Sequence, residues 1–323
     1  MIGTSLLFSG SIAGLLTPFD SVAPTAGYSL RNLGLSYSGA VVRVRKDITG
    51  NPEQDFTAGQ ITNGTLSNFL ETLGTDAHSQ SVSTQFEDLS DVSLICDCNS
   101  GGTDELDAFD ALYENGFVSK WYDQFGSNDA VQTTAAEQPK IWDASTGLVT
   151  ENGKPALDFD GVDDSLDAGS GWFPTSTEYS AFTVFGTDEI SSGDDPVIFG
   201  VSSINAETAF YYVNTDFGTA SDQIRLFSTS AEIYVGSSIL QTGQRLLSFF
   251  YDGATEYAYL DSVFDASGSR TSALGNSIVK IGTNPQVSRP FIGKINELIF
   301  YASDQTSNRT KIEDNINAYY DIY

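Results

Sequence analysis

The chain has 323 residues, with 15 Lys and Arg against 43 Asp and Glu, a formal charge of −28. Nucleic acid and anionic membrane surfaces are disfavoured partners, because such a surface repels both. Hydrophobic residues make up 40% and aromatic residues 12%, enough for a core, and no stretch approaches the roughly 20 apolar residues that cross a bilayer.

Met1–Phe19 is apolar, but no Lys or Arg precedes Arg31 and its Gly and Ser residues interrupt the run. A secretion signal needs a basic start, so residues 1–25 read as an uncleaved arm that contacts something outside the main domain. The domain itself is assigned to residues 26–323. Ala26–Leu35 has the spacing of a short helix burying Tyr28, Leu30 and Leu33, ended by Gly34. Ala40–Arg45 alternates as a strand with Arg43 and Arg45 on the wet face. From Asn51 to Gly116 the sequence turns polar, with helices expected at Thr65–Leu73 and Asp104–Glu114 and a loop and helix insertion at about 75–112. Cys96 and Cys98 flank a single Asp, too close for an ordinary disulfide, and read as free thiols.

Phe117–Gln132 and Glu151–Leu166 each set a strand-like run against a turn of Asp, Gly and Asn. In the second, Leu157 and Phe159 alternate with Asp158 and Asp160 before Gly161-Val162-Asp163-Asp164 breaks the run. Beyond it come short β runs at Ala181–Thr187, Pro196–Val201, Ala209–Val213, Gln223–Ser228, Glu232–Val235, Leu246–Tyr251, Glu256–Leu260, Ser277–Ile281 and Phe291–Tyr301. Asp252-Gly253 marks a hairpin. Ser307–Tyr323 switches to helical spacing, with Ile312, Ile316, Tyr319 and Tyr320 on one face and Ser307 as the expected N-cap. The fold class is therefore all-β, an antiparallel two-sheet jelly-roll sandwich with a few short helices and a C-terminal helix closing it.

The blocks GYSLRNLGLSYSGAVVRVRKD, GFVSKWYDQFGSNDAVQ and NGKPALDFDGVDDSL, with the ending FIGKINELIFYAS, resemble concanavalin-like (laminin-G-like) sandwich modules of tailed-bacteriophage structural proteins. They are also similar to the catalytic domain of arabinofuranosidase B. The resemblance implies a virion surface protein of the head, tail fibre or decoration, assembled as a homo-oligomer with other virion structural proteins and attaching weakly and multivalently to cell-surface glycans. The alternative is a glycoside hydrolase of the arabinofuranosidase type, and a second is a purely architectural spacer of the particle.

A single histidine, His78, argues against a Ser-His-Asp nucleophile or a multi-histidine metal site. Any hydrolase would run on two carboxylates, as retaining glycosidases do. The arabinofuranosidase resemblance places a nucleophilic Glu beyond a vicinal cysteine pair, which is missing here, and an acid Asp in an Ile-Gly-Gly-Asp-Asn segment. That segment reads here as Ile281-Gly282-Thr283-Asn284, with an amide in the acid's place, and Glu297 is the nearby carboxylate if the register shifts. The expectation is no catalytic residue and no enzyme. Candidate carbohydrate-binding residues are Trp121, Asp123, Asp160, Asp163 and Asp164, with Trp121 as a stacking platform. Trp121 and Tyr122 alternate faces, so one belongs to the core, while Asp123 and Gln124 bond the loop backbone. No cofactor or metal is expected. The loop Asp158, Asp160, Asp163, Asp164 and Asp167 could take Ca²⁺, which wants about six to eight oxygens, but capping of turns is the favoured role.

Overall fold

The computed structural model describes residues 17–72, 112–173, 178–187, 196–203, 206–214, 223–228, 231–235, 243–269, 278–284 and 289–323. His78, the two cysteines and most of the insertion at 75–112 lie outside the described residues.

Two antiparallel runs of strands face one another. One passes from Val263–Ser269 through Thr255–Leu260, Gly243–Tyr251 and Tyr179–Thr187 to Ile292–Tyr301. The far edge of that last strand is shared by Ala26–Ser29 and Leu157–Asp160. The other run passes from Ala231–Val235 through Gln223–Ser228, Ala206–Asn214, Val197–Ser203, Ile278–Ile281, Leu166–Ser170 and Ala130–Val131 to Gly116–Trp121. Val42–Lys46 and Glu53–Phe56 complete it, and Lys140–Asp143 pairs with both runs and ties them together. This is an all-β sandwich.

Rings fill the space between the layers, as the burial of large aromatic side chains requires. Phe199 meets Phe300 edge-on at 5.0 Å between centroids, and Tyr28 meets Trp121 at 5.9 Å. A second apolar layer lies outside the first sheet. Phe182, Val184, Ile299 and Tyr301 point away from the sandwich interior and are covered by Phe19 and by Ile312, Ile316 and Tyr320 of the helix Arg309–Tyr320. Strand Tyr179–Thr187 is therefore buried along both faces and shows no alternation of exposure.

The Asp252-Gly253 hairpin forms as its sequence dictates: Asp252 Oδ1 accepts from the backbone N–H groups of Ala254 and Thr255, and Gly253 takes φ +93°. The β runs expected beyond Glu151 are present with ends shifted by a few residues, and Val263–Ser269 is an additional strand.

Several expectations are corrected. Ala26–Ser29 is a strand, not part of a helix, because the edge of Ile292–Tyr301 offers it a full ladder; Tyr28, Leu30 and Leu33 are buried all the same. Leu112–Tyr113, at the end of the second expected helix, is a strand paired with Glu71–Thr72. The C-terminal helix begins at Arg309, with Asn308 rather than Ser307 in the N-cap position, after a 3₁₀ turn at Thr306–Asn308. Arg45 is not on a wet face. It is 4% exposed, and every guanidinium nitrogen finds an acceptor among Gln138, Asp47, Asn51 and the Ala135 carbonyl, which offsets the cost of burying it.

Candidate functional site

The strand Leu157–Asp160 ends where Gly161 takes φ +76°, with the Ile292 side chain 2.7 Å from the position a Cβ would occupy. The chain then folds back through Asp163 and Asp164. Asp160 Oδ1 accepts from the N–H of Val162 at 2.8 Å, and Asp164 Oδ2 accepts from the N–H of Asp160 at 3.0 Å. This turn brings one carboxylate oxygen each from Asp160, Asp163 and Asp164 within 4.8 Å of one another.

The three carboxyls differ in solvation. Asp160 is exposed, Asp163 half-buried and Asp164 only 6% exposed. Burial, followed by the charge of Asp160, pushes the Asp164 carboxyl up to about 7. A buried acid next to an ionised one keeps its proton near neutral pH, which is the condition of a general acid. Capping accounts for two of the bonds, as the sequence suggested, but the turn also sets the desolvated Asp164 carboxyl, pushed up to about 7, beside the exposed Asp160. Ca²⁺ would need about six to eight oxygens, and the turn brings three carboxylates together.

The turn abuts the corner where the resemblance places an acid. Gly282 has φ +80°, and a Cβ there would lie 2.3 Å from the Phe159 ring and 3.1 Å from the Asp164 carbonyl oxygen. Its N–H donates to Ile198 O at 2.7 Å, and its carbonyl accepts from Phe291 N–H at 2.8 Å. Asn284 follows and is fully buried. Glu297, the fallback carboxylate, is equally buried, on the other side of the first sheet, and is occupied by Arg31, Ser29 and Tyr320.

The five candidate binding residues do not form one site. Trp121 is fully buried against Tyr28 and cannot stack on an external sugar, which corrects that expectation; its neighbour Tyr122 is the outward residue. The Tyr122 hydroxyl donates to Asp55 at 2.8 Å and accepts from Arg43 at 3.2 Å, and burial together with the Asp55 bond pushes it up to about 12. Asp123 organises the loop that follows, accepting from the N–H groups of Gly27, Phe125 and Asn128 at 3.0–3.1 Å. Gln124 bridges to Leu33, Ser29 and Arg31. Asp160, Asp163 and Asp164 are the members that converge. What the sequence missed is that only one of them, Asp164, is buried.

Neither a protein-family model nor a curated protein matches the chain. Among solved structures, a GH54 α-L-arabinofuranosidase soaked with a cyclic sulfate inhibitor is similar over 93% of this chain at 12% identity and a TM-score of 0.60. A mutant GH54 α-L-arabinofuranosidase soaked with a nitrophenyl α-L-arabinofuranoside gives 12% identity and 0.61 over the same share. An arabinofuranosidase complexed with an arabinofuranosyl-xylobiose gives 15% and 0.56, again over 93%. The chain spans 64% of the length of each of these three. At this identity the likeness carries the fold. It stands against the expectation of a non-enzymatic virion surface protein, because the solved structures that share this sandwich across nearly the whole chain are those of arabinofuranosidases.

Proposed function

We propose that the chain is a glycoside hydrolase of the arabinofuranosidase type, with Asp164 as general acid and Asp160 as its ionised partner. The observation that carries this reading is the Asp164 carboxyl, desolvated and pushed up to about 7, beside the exposed carboxylate of Asp160 and against the Gly282 corner. The fold likeness to arabinofuranosidases supports it.

The oxygens of the pair lie within 4.8 Å. That falls on the side of retaining enzymes, whose carboxyls stand about 5–5.5 Å apart, rather than inverting ones at about 6.5–9.5 Å. In the first step Asp164 gives its proton to the glycosidic oxygen as the bond to the anomeric carbon breaks. Asp160 closes on that carbon to form a glycosyl ester. Asp164, now ionised, takes a proton from water as the water's oxygen displaces Asp160, which leaves as carboxylate while Asp164 regains its proton. The net charge of −28 favours neutral arabinose-containing polysaccharide over acidic glycans.

A chromogenic arabinofuranoside tests the reading. The expected result is turnover with retained anomeric configuration by proton NMR, and a loss of about 10²–10⁴ in kcat for Asp164→Asn. No turnover by the unsubstituted chain, or equal turnover by Asp164→Asn, would overturn it.

A further inference from the structure

On the outward face of the second sheet, register places Lys120 opposite Val131, Val131 opposite Asp167, and Asp167 opposite Lys280. Residues directly opposite across antiparallel strands share a face, so these four form one row crossing four strands. Val131, Asp167 and Lys280 of this row line an open groove of about 480 Å³, together with Asp129, Gln132 and Thr133. Two ion pairs stand along it: Lys120 Nζ to Asp129 Oδ2 at 3.2 Å, and Lys280 Nζ to Asp167 Oδ2 at 3.0 Å. All four charged side chains are partly open to solvent, at 19–40% exposure.

With Lys120 neutralising the lining Asp129 and Lys280 neutralising Asp167, the groove is locally neutral on a chain of charge −28. It offers N–H donors and carboxylate acceptors alternately, each already oriented by its partner, which suits a ligand bearing many hydroxyl groups and no charge. An anionic chain gains no net attraction there and meets the repulsion of the whole surface. The two interstrand steps from Val131 to Lys280, about 4.8 Å each, span about 10 Å, room for about two sugar units. The Leu166–Ser170 strand runs straight from the Asp164 turn into this groove, and Gln132 Nε2 donates back to the Ser165 carbonyl at 3.1 Å.

We propose that this groove binds a neutral oligosaccharide chain and so holds polymeric substrate beside the Asp164 turn. The inference rests on the hydrolase reading for its choice of glycan, but it is tested without turnover. In native affinity electrophoresis the full chain is run through gels containing soluble arabinoxylan or, separately, polygalacturonate. The double substitution Asp167→Asn with Lys280→Met keeps net charge constant, so mobility without polymer stays comparable. Thr133→Trp leaves both ion pairs in place and fills the groove from an exposed position. The expected result is retardation by arabinoxylan and not by polygalacturonate, weakened about tenfold in apparent Kd by both variants. Absence of retardation of the unsubstituted chain, retardation unchanged in the folded Thr133→Trp variant, or equal retardation by both polymers would overturn the proposal. Retardation without turnover of the chromogenic arabinofuranoside would sink the hydrolase reading and leave the groove standing.

Discussion

Arg31 forks across the carboxylate of Glu297, Nε to Oε2 at 2.7 Å and Nη2 to Oε1 at 2.9 Å, beneath the rings of Tyr319 and Tyr320. Glu297 is fully buried, and Ser29 and Tyr320 also donate to it. Burial by itself would pull the guanidinium down, but the Glu297 charge more than offsets it and holds the guanidinium above its usual range. One cluster thus joins the segment after the first strand, the last strand and the closing helix. Breaking a buried pair from one side strands a charge, so Arg31→Met should cost about 3–5 kcal/mol in urea unfolding. Arg31→Met combined with Glu297→Gln should recover a large part of that. A double variant no more stable than the single one would show that the fork, not the stranded charge, carries the energy.

Asp164 makes stability depend on pH in a direction opposite to a salt-bridged carboxylate. Its folded value of about 7 lies above the ordinary carboxylate value of 3.8. Between these limits the native state keeps a proton that the unfolded chain has released, so stability falls as pH rises through the window and levels off above it. At about 1.4 kcal/mol per unit the contribution is on the order of a few kcal/mol. Asp164→Asn should therefore stabilise the protein at about pH 8 relative to the unsubstituted chain and leave the two close at about pH 4. Urea midpoints at both pH values check it, and a pH-independent difference between them would contradict the assignment.

Much of the sandwich is legible in the sequence because alternation and turn chemistry are local. The Asp252-Gly253 hairpin and the run Gln223–Ser228 need no distant information. Ala26–Ser29 does: Tyr28, Leu30 and Leu33 suit a helix as well as a strand, and the choice is made by Glu297–Phe300, a partner some 270 positions away. Arg45 looks like a surface residue until Gln138 and Ala135 arrive from another loop. The acidic turn shows the same limit. Nothing in the run Asp158, Asp160, Asp163 and Asp164 marks one as buried, and the fold leaves Asp164 desolvated in a turn packed where Phe159 lies against Gly282.

Gly282 tests that contact. Its φ of +80° disfavours any side chain, and a Cβ would fall 2.3 Å from two carbons of the Phe159 ring, which is itself only 1% exposed and unable to retreat. Strain and overlap together should make Gly282→Ala cost about 3 kcal/mol or more. The same Cβ would lie 3.1 Å from the Asp164 carbonyl oxygen, so the turn shifts with it and the pH dependence of stability should flatten in the same variant. Gly253→Ala, at φ +93° with open space around it, isolates the backbone strain and should cost about 1 kcal/mol. Equal losses at the two positions would mean that the ring contact contributes nothing.

The outer apolar layer is the part of the fold most exposed to single substitutions. Ile316 is fully buried between the helix Arg309–Tyr320 and the strands carrying Phe182, Val184, Ile299 and Tyr301. Those residues alternate with Ala181, Leu298 and Phe300, which face the interior, so without the helix every second side chain of two central strands would meet water. Ile316→Ala removes its larger part from a closely packed site and should cost about 2–5 kcal/mol. Asp314, exposed on the opposite face of the same helix, controls for helix propensity, and Asp314→Ala should stay within about 0.5 kcal/mol of the unsubstituted chain. Denaturant unfolding by tryptophan fluorescence reads both. If the helix docks as part of the same cooperative unit, Ile316→Ala shifts the midpoint with no change in slope. A separate early transition would show instead that the helix undocks on its own.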